Sequence, residues 1–98
     1  FLPHKKGNII NPHFHKEVHR NISFTQEVLF IKKGKVVVNF YAPDKKYICS
    51  RKLNKGDFVF ICYGGHGFKI IKDAEIIEVK QGPYVDRAHD KEVFEGIE

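Results

Sequence analysis

Between residues 27 and 80 the chain alternates short apolar runs with turn signals. Residues 27–31 read EVLFI, residues 35–41 KVVVNFY and residues 58–62 FVFIC. These runs are rich in β-branched and aromatic residues, which fit a pleated, half-buried surface. In the second run Val36, Val38 and Phe40 share one face, and Val37 and Asn39 share the other. The third run is apolar at every position and is expected to be buried on both faces. Residues 66–71 and 74–80 are expected to form a pair of strands joined by a tight turn, and residues 7–15 an earlier strand. Residues 16–25 read as a loop or the ends of a long hairpin.

Turn signals recur at Lys32-Lys33-Gly34, Pro43-Asp44-Lys45, Asn54-Lys55-Gly56, Gly64-Gly65 and Lys72-Asp73. Regular spacing of this kind predicts an all-β sandwich or barrel. Gly34 and Gly56 are explained by the positive φ that turns demand. No window holds a sustained 3.6-residue apolar period, so little helix is expected. The exception is a short candidate at residues 90–94, in the polar tail 85–98.

A chain of 98 residues makes one domain, here with a core over residues 7–84. Its apolar fraction of 42% is enough for folding rather than disorder. No apolar stretch has the length of a membrane-spanning helix. The two cysteines, Cys49 and Cys62, are too few for a disulfide scaffold, so a reduced, cytoplasmic setting is expected. The chain has no Met and begins at Phe1, so residues are expected to be missing before it. Such a segment would be able to supply a core strand, an exchanged strand or a targeting signal.

The net charge of +5 is spread over short pairs such as Lys45-Lys46 and Arg51-Lys52, mostly at turns. That pattern predicts solvated turns and a mild positive field, favourable to a polar or anionic small molecule such as a sugar phosphate. No stretch combines basic residues with spaced aromatics, so nucleic acid is not the expected partner.

The strongest local signal for chemistry is Pro12-His13-Phe14-His15. On a strand, residues two apart point to one face, so both imidazoles would project together. Beyond it the chain reads Gly7, five residues, His13-x-His15, then Glu27, six residues and Gly34. A second block reads Gly56, five residues, Cys62-x-Gly64-x-His66. These blocks resemble the two motifs of the cupin superfamily. The resemblance implies a double-stranded β-helix, or jelly-roll, barrel. It also implies one divalent metal ion on His13, His15, Glu27 and His66. Such a ligand set suits Fe, Mn, Ni, Co, Cu or Zn.

The pattern departs from the motifs in places. Eleven residues separate His15 from Glu27, and His19 inside that insertion stands as an alternative ligand. Cys62 takes the motif's proline position, the spacing from Gly64 to His66 is one residue short, and Ile70 takes the place of an asparagine. More narrowly, residues 25–41, 64–68 and 78–84 are similar to short bacterial cupins linked with surface-polysaccharide and nucleotide-sugar genes.

Three further polar residues are catalytic candidates. Arg20 offers a bidentate anion contact, and Lys80 and Tyr84 flank the end of the last strand. Glu75 and Glu78, three apart on a strand, face opposite sides and form no carboxylate pair.

Three functions compete. The first is a metal-dependent isomerase or epimerase acting on a sugar, nucleotide sugar or small polar carbonyl compound. The second is an iron-dependent dioxygenase, and the third a non-catalytic sugar or metabolite binder. Exposed sheet edges and the cupin resemblance both imply a homodimer.

Overall fold

The computed structural model describes residues 2–97. Among them are four strands and one short helix: β1 (Glu27–Tyr41), β2 (Tyr47–Asn54), β3 (Phe58–Ile61), β4 (Gly65–Lys80) and α1 (Arg87–Asp90). All strand pairings are antiparallel, and β1 is common to all three. β4 follows β1 along its whole length, while β2 pairs with its second half and β3 with its first. β2 and β3 thus act as one strand broken by a turn. The all-β class is as expected; among the described residues the sheet is antiparallel and is not closed into a barrel.

Three of the expected turns are turns. After β1, Lys45 N–H donates to Ala42 O at 2.8 Å, and Asp44 Oδ1 accepts from Lys46 N–H at 3.1 Å. Between β2 and β3, Asn54 and Asp57 exchange two hydrogen bonds around Gly56, whose φ is +91°. Gly64, φ +79°, leads into β4. The other two signals are bulges inside long strands. β1 runs through Gly34 and β4 through Lys72-Asp73, with register shifts from Ile31 to Val36 where they face each other. The expected hairpin of residues 66–71 and 74–80 is therefore one continuous strand.

The bulge reverses side-chain parity, as an extra residue in a strand must. Glu27, Leu29 and Ile31 point inward before it, Val36 and Val38 after it. It also folds the sheet over. Glu27 lies thirteen positions along β1 from Phe40, the partner of His66. A straight strand would separate those positions by roughly 40 Å, yet the Glu27 and His66 side chains touch at 2.8 Å. The two ends of the ribbon therefore face each other.

At the bend sits the core of Ile31, Val36 and Val38, all fully buried, with Phe40, Leu53, Ala74 and Ile76 packed around them. With so few buried side chains, each carries much of the stability. Ile31→Ala is expected to cost about 2–5 kcal/mol, read as a lower urea midpoint. A loss below about 1 kcal/mol would show that the site relaxes or that the core lies elsewhere.

Three sequence expectations are corrected. Residues 58–62 are not buried on both faces: Ile61 is buried, but Phe58 and Phe60 are exposed, because among the described residues nothing covers the outer side of β3. Residues 7–15 form no strand. Pro12 removes one ladder donor, and the stretch lacks an apolar alternation to bury. The helix lies at Arg87–Asp90 rather than 90–94, because Asp86 caps it, accepting from His89 N–H at 2.8 Å.

Candidate functional site

Glu27 opens β1 and His66 is the second residue of β4. The fold-over sets Glu27 Oε1 against His66 Nε2 at 2.8 Å, with only 10% and 28% of their side chains exposed. They stand in the wall of a cavity of about 780 Å³, with Leu29, Phe68, Ile76 and Glu78. This volume lies within the range of small-molecule sites. At the rim, Phe24 and Tyr63 pack edge to face with centroids 4.8 Å apart.

Burial raises the Glu27 carboxyl to about 7, helped by a hydrogen bond with the Glu78 carboxyl and that group's charge; Lys80 and Lys91 pull the other way. Burial also lowers His66, with the positive charge of Lys91 acting in the same direction. Both shifts favour the neutral form of each group. A proton on Glu27 therefore faces His66 Nε2 and the Glu78 carboxyl group. A carboxylic acid beside a free imidazole is an acid–base pair poised at working pH.

The other sequence candidates divide clearly. Lys80 lines the cavity, but its ammonium donates to Asp90 Oδ2 at 2.8 Å, and this bond raises its pKa. Thr25 Oγ1 donates to the other Asp90 oxygen at 2.9 Å. Lys80 is thus an anchored cation rather than a base. Its Nζ sits 5.7 Å from the centroid of the exposed Tyr84 ring. Arg20, His19, His13 and His15 all lie exposed on the unpaired N-terminal segment. The rings of His13 and His15 are neighbours, with centroids 5.4 Å apart, and His13 Nδ1 bonds to Asn11 O at 2.8 Å.

Of the four metal ligands that the cupin resemblance implies, the fold brings Glu27 and His66 together and leaves His13 and His15 on the N-terminal segment. Among the described residues no group of three or more His, Cys, Asp or Glu side chains is gathered as a metal ion would need. As folded, these residues do not fit the expected ion.

Glu78 and Asp90 were not singled out from sequence. The signal for Glu78 was its alternation with Ile76 and Lys80, which puts all three on one face. It forms no pair with Glu75, as expected, but meets Glu27 from the neighbouring strand. Asp90 carried no local signal, since its partners Lys80 and Thr25 are remote in sequence.

Residues 90–97 run as a strap between the two ends of the folded sheet. Asp90 holds Lys80 at one end; at the other, Tyr41 Oη accepts from Ile97 N–H at 3.0 Å and Phe94 packs edge-on against Tyr41. Lys45 meets Glu92 at 3.0 Å. Asp90→Ala is expected to speed amide exchange along the strap while the core amides of β1 keep theirs. Unchanged exchange along the strap would mean that the Tyr41 and Lys45 contacts hold it without Asp90.

Comparisons with protein-family models, with curated proteins and with solved structures give no match. Among the described residues no helix is long and apolar enough to cross a membrane.

Proposed function

We propose that the chain binds a small polar carbonyl compound, such as a sugar, in the cavity of its folded sheet. There it moves a proton with Glu27 and His66, the chemistry of an isomerase or epimerase. The observation that carries this reading is the 2.8 Å contact between the two side chains in the cavity wall.

In the proposed step His66 Nε2 takes the proton from the carbon next to the carbonyl. Glu27 gives its proton to the carbonyl oxygen. The C–H electron pair becomes the double bond of an enediol. His66 then returns a proton to the neighbouring carbon, or to the other face of the same carbon, while Glu27 takes back a proton from the enediol hydroxyl that becomes the carbonyl. This completes isomerisation or epimerisation and restores both side chains. Thr25, Lys80 and Asp90 supply polar atoms for hydroxyl groups at the cavity edge. Because Asp90 already compensates Lys80, a neutral polyol suits this wall better than the anionic ligand expected from net charge.

The jelly-roll barrel and the cupin membership belong to the same proposal. A ribbon bent double at a bulge supports them, since bulges are a standard means of closing a sheet. A bound divalent ion would require His13 and His15 to be carried from the N-terminal segment to Glu27 and His66. No step here runs through one. Elemental analysis of protein purified without chelators checks that part separately.

The test of the acid–base reading is deuterium wash-in from D₂O into a panel of aldoses and ketoses, followed by NMR. Exchange is expected with wild type and is lost with Glu27→Gln or His66→Asn, while sugar binding persists. Binding without exchange in wild type would leave a sugar-binding module and remove the enzyme.

A further inference from the structure

Six apolar side chains tile the outer face of the half-sheet that carries Glu27. Directly opposed residues of antiparallel strands point to the same side. The pairings Phe30 with Phe58 and Ile77, and Val28 with Phe60 and Val79, therefore place all six together. Across β3, β1 and β4 the rows read Phe58–Phe30–Ile77 and Phe60–Val28–Val79. The intervening residues Glu27, Leu29 and Ile31 are buried on the opposite, inner side. The outer rows are open: Phe58 is 68% exposed, Val79 66%, Phe60 55%, Ile77 48% and Phe30 38%. No charged residue interrupts them, and an ion pair of Lys32 with Glu75 lies at their border.

An aromatic side chain offers roughly 150–250 Å² of surface, so these residues together expose on the order of 500 Å². That is at the upper end of the largest apolar patch of a typical monomer. We propose that a second copy of this chain covers it, the two tiles packing sheet face to sheet face about a twofold axis.

Three observations favour this occupant. Two such tiles bury about 1,000 Å² before any rim contact, close to the roughly 1,200 Å² at which stable interfaces begin. The tile is a sheet face rather than a groove, and sheet faces pack on one another at about 10 Å with interleaved side chains. Each copy carries a net charge of +5, but none of it comes from the six positions, so apposing them brings no like charges together in the centre. A twofold contact needs only one self-complementary patch, and an uncharged apolar one meets that need.

Sedimentation velocity on the full chain over a range of concentrations is the test. A concentration-dependent monomer–dimer equilibrium is expected. Phe58→Lys and, separately, Val79→Lys, on opposite flanking strands, should each weaken it on the order of tenfold or more. Ile48→Lys, on β2 outside the rows and exposed, should leave it unchanged. Far-UV circular dichroism checks folding of each variant. Amide exchange of the wild type adds a readout that needs no variant: protection at β3 should rise with protein concentration. A wild type that stays monomeric throughout would overturn the proposal. So would a dimer indifferent to both lysines, or β3 protection independent of concentration. The last result together with a monomer would point instead to the chain's own N-terminal segment on the tile.

Discussion

Gly34→Ala is expected to abolish the folded sheet. Two penalties coincide at this position. Its φ is +88°, where a Cβ costs about 1–2 kcal/mol. The added Cβ would also land on the Asp73 carbonyl oxygen and 2.7 Å from Ala74 Cα. These are backbone atoms of the paired strand, so no side chain can swing aside. Relief requires parting β1 from β4 at the bend, beside the buried core of Ile31, Val36 and Val38. The total is expected to exceed about 4 kcal/mol, a large part of the stability of a small domain. Gly56→Ala separates the two causes. Gly56 has a φ of +91°, but its added Cβ would meet nothing within 4 Å. It should lose only the torsional part, about 1–2 kcal/mol. Urea unfolding of both variants measures the difference. Equal losses would mean that the strands do not approach closely at Gly34 and that the bend is built otherwise.

The second large effect lies at the acid–base pair. Removing a positioned general acid or base lowers rate by about 10²–10⁴, and each single variant, Glu27→Gln or His66→Asn, is expected to do so in wash-in. Wild-type exchange needs the imidazole free and the carboxyl protonated. It should rise through the depressed pKa of His66 and fall as pH passes about 7, the value for Glu27.

Stability against pH gives an independent check, with opposite signs in the two variants. In Glu27→Gln only the lowered His66 remains, so the unfolded chain binds more protons below its ordinary 6.5. Stability then increases as pH rises toward 6.5 and levels off above it. In His66→Asn only the raised Glu27 remains, so the folded chain binds more protons between 4.5 and about 7. Stability then declines as pH rises through that window. In the wild type the two slopes oppose each other, because one proton sits on Glu27 when folded and on His66 when unfolded. Thermal unfolding from pH 4.5 to 8 reads all three curves. Parallel curves for the two variants would sink the paired reading.

Local pattern was sufficient for much of the fold. The β-branched runs around Val36 and Phe60 are strands, and Pro43-Asp44-Lys45, Asn54-Lys55-Gly56 and Gly64 turn the chain. These features depend on neighbours in sequence: side-chain shape, a missing N–H, a tolerated positive φ. Glu27 and His66 stood in the two blocks that resemble the cupin motifs, but as expected metal ligands rather than as a pair in contact. Period-2 reading failed at Lys32-Lys33-Gly34 and Lys72-Asp73, because a turn and a bulge use the same residues. Only a partner strand shows which one is present.

Tertiary structure decided the rest. The bulge at Gly34 reverses the inward face and bends the ribbon, since one extra residue shifts all that follows by one side of the sheet. That bend, which no local pattern records, brings residue 27 to residue 66 and adds Glu78 to them. Burial there, rather than residue type, sets the ionisation of the pair. Whether an apolar strand is covered was likewise settled by packing: Ile61 is buried while Phe58 and Phe60, equally apolar, remain outside. His13 and His15 stand with Glu27 in the block that resembles a cupin motif, but among the described residues no hydrogen-bonded strand carries them to it. The chain by itself determined most of the strand segments and three of the five turns. The meeting of Glu27 with His66 depended on a long-range register, whose free energy comes from contacts between residues far apart in sequence.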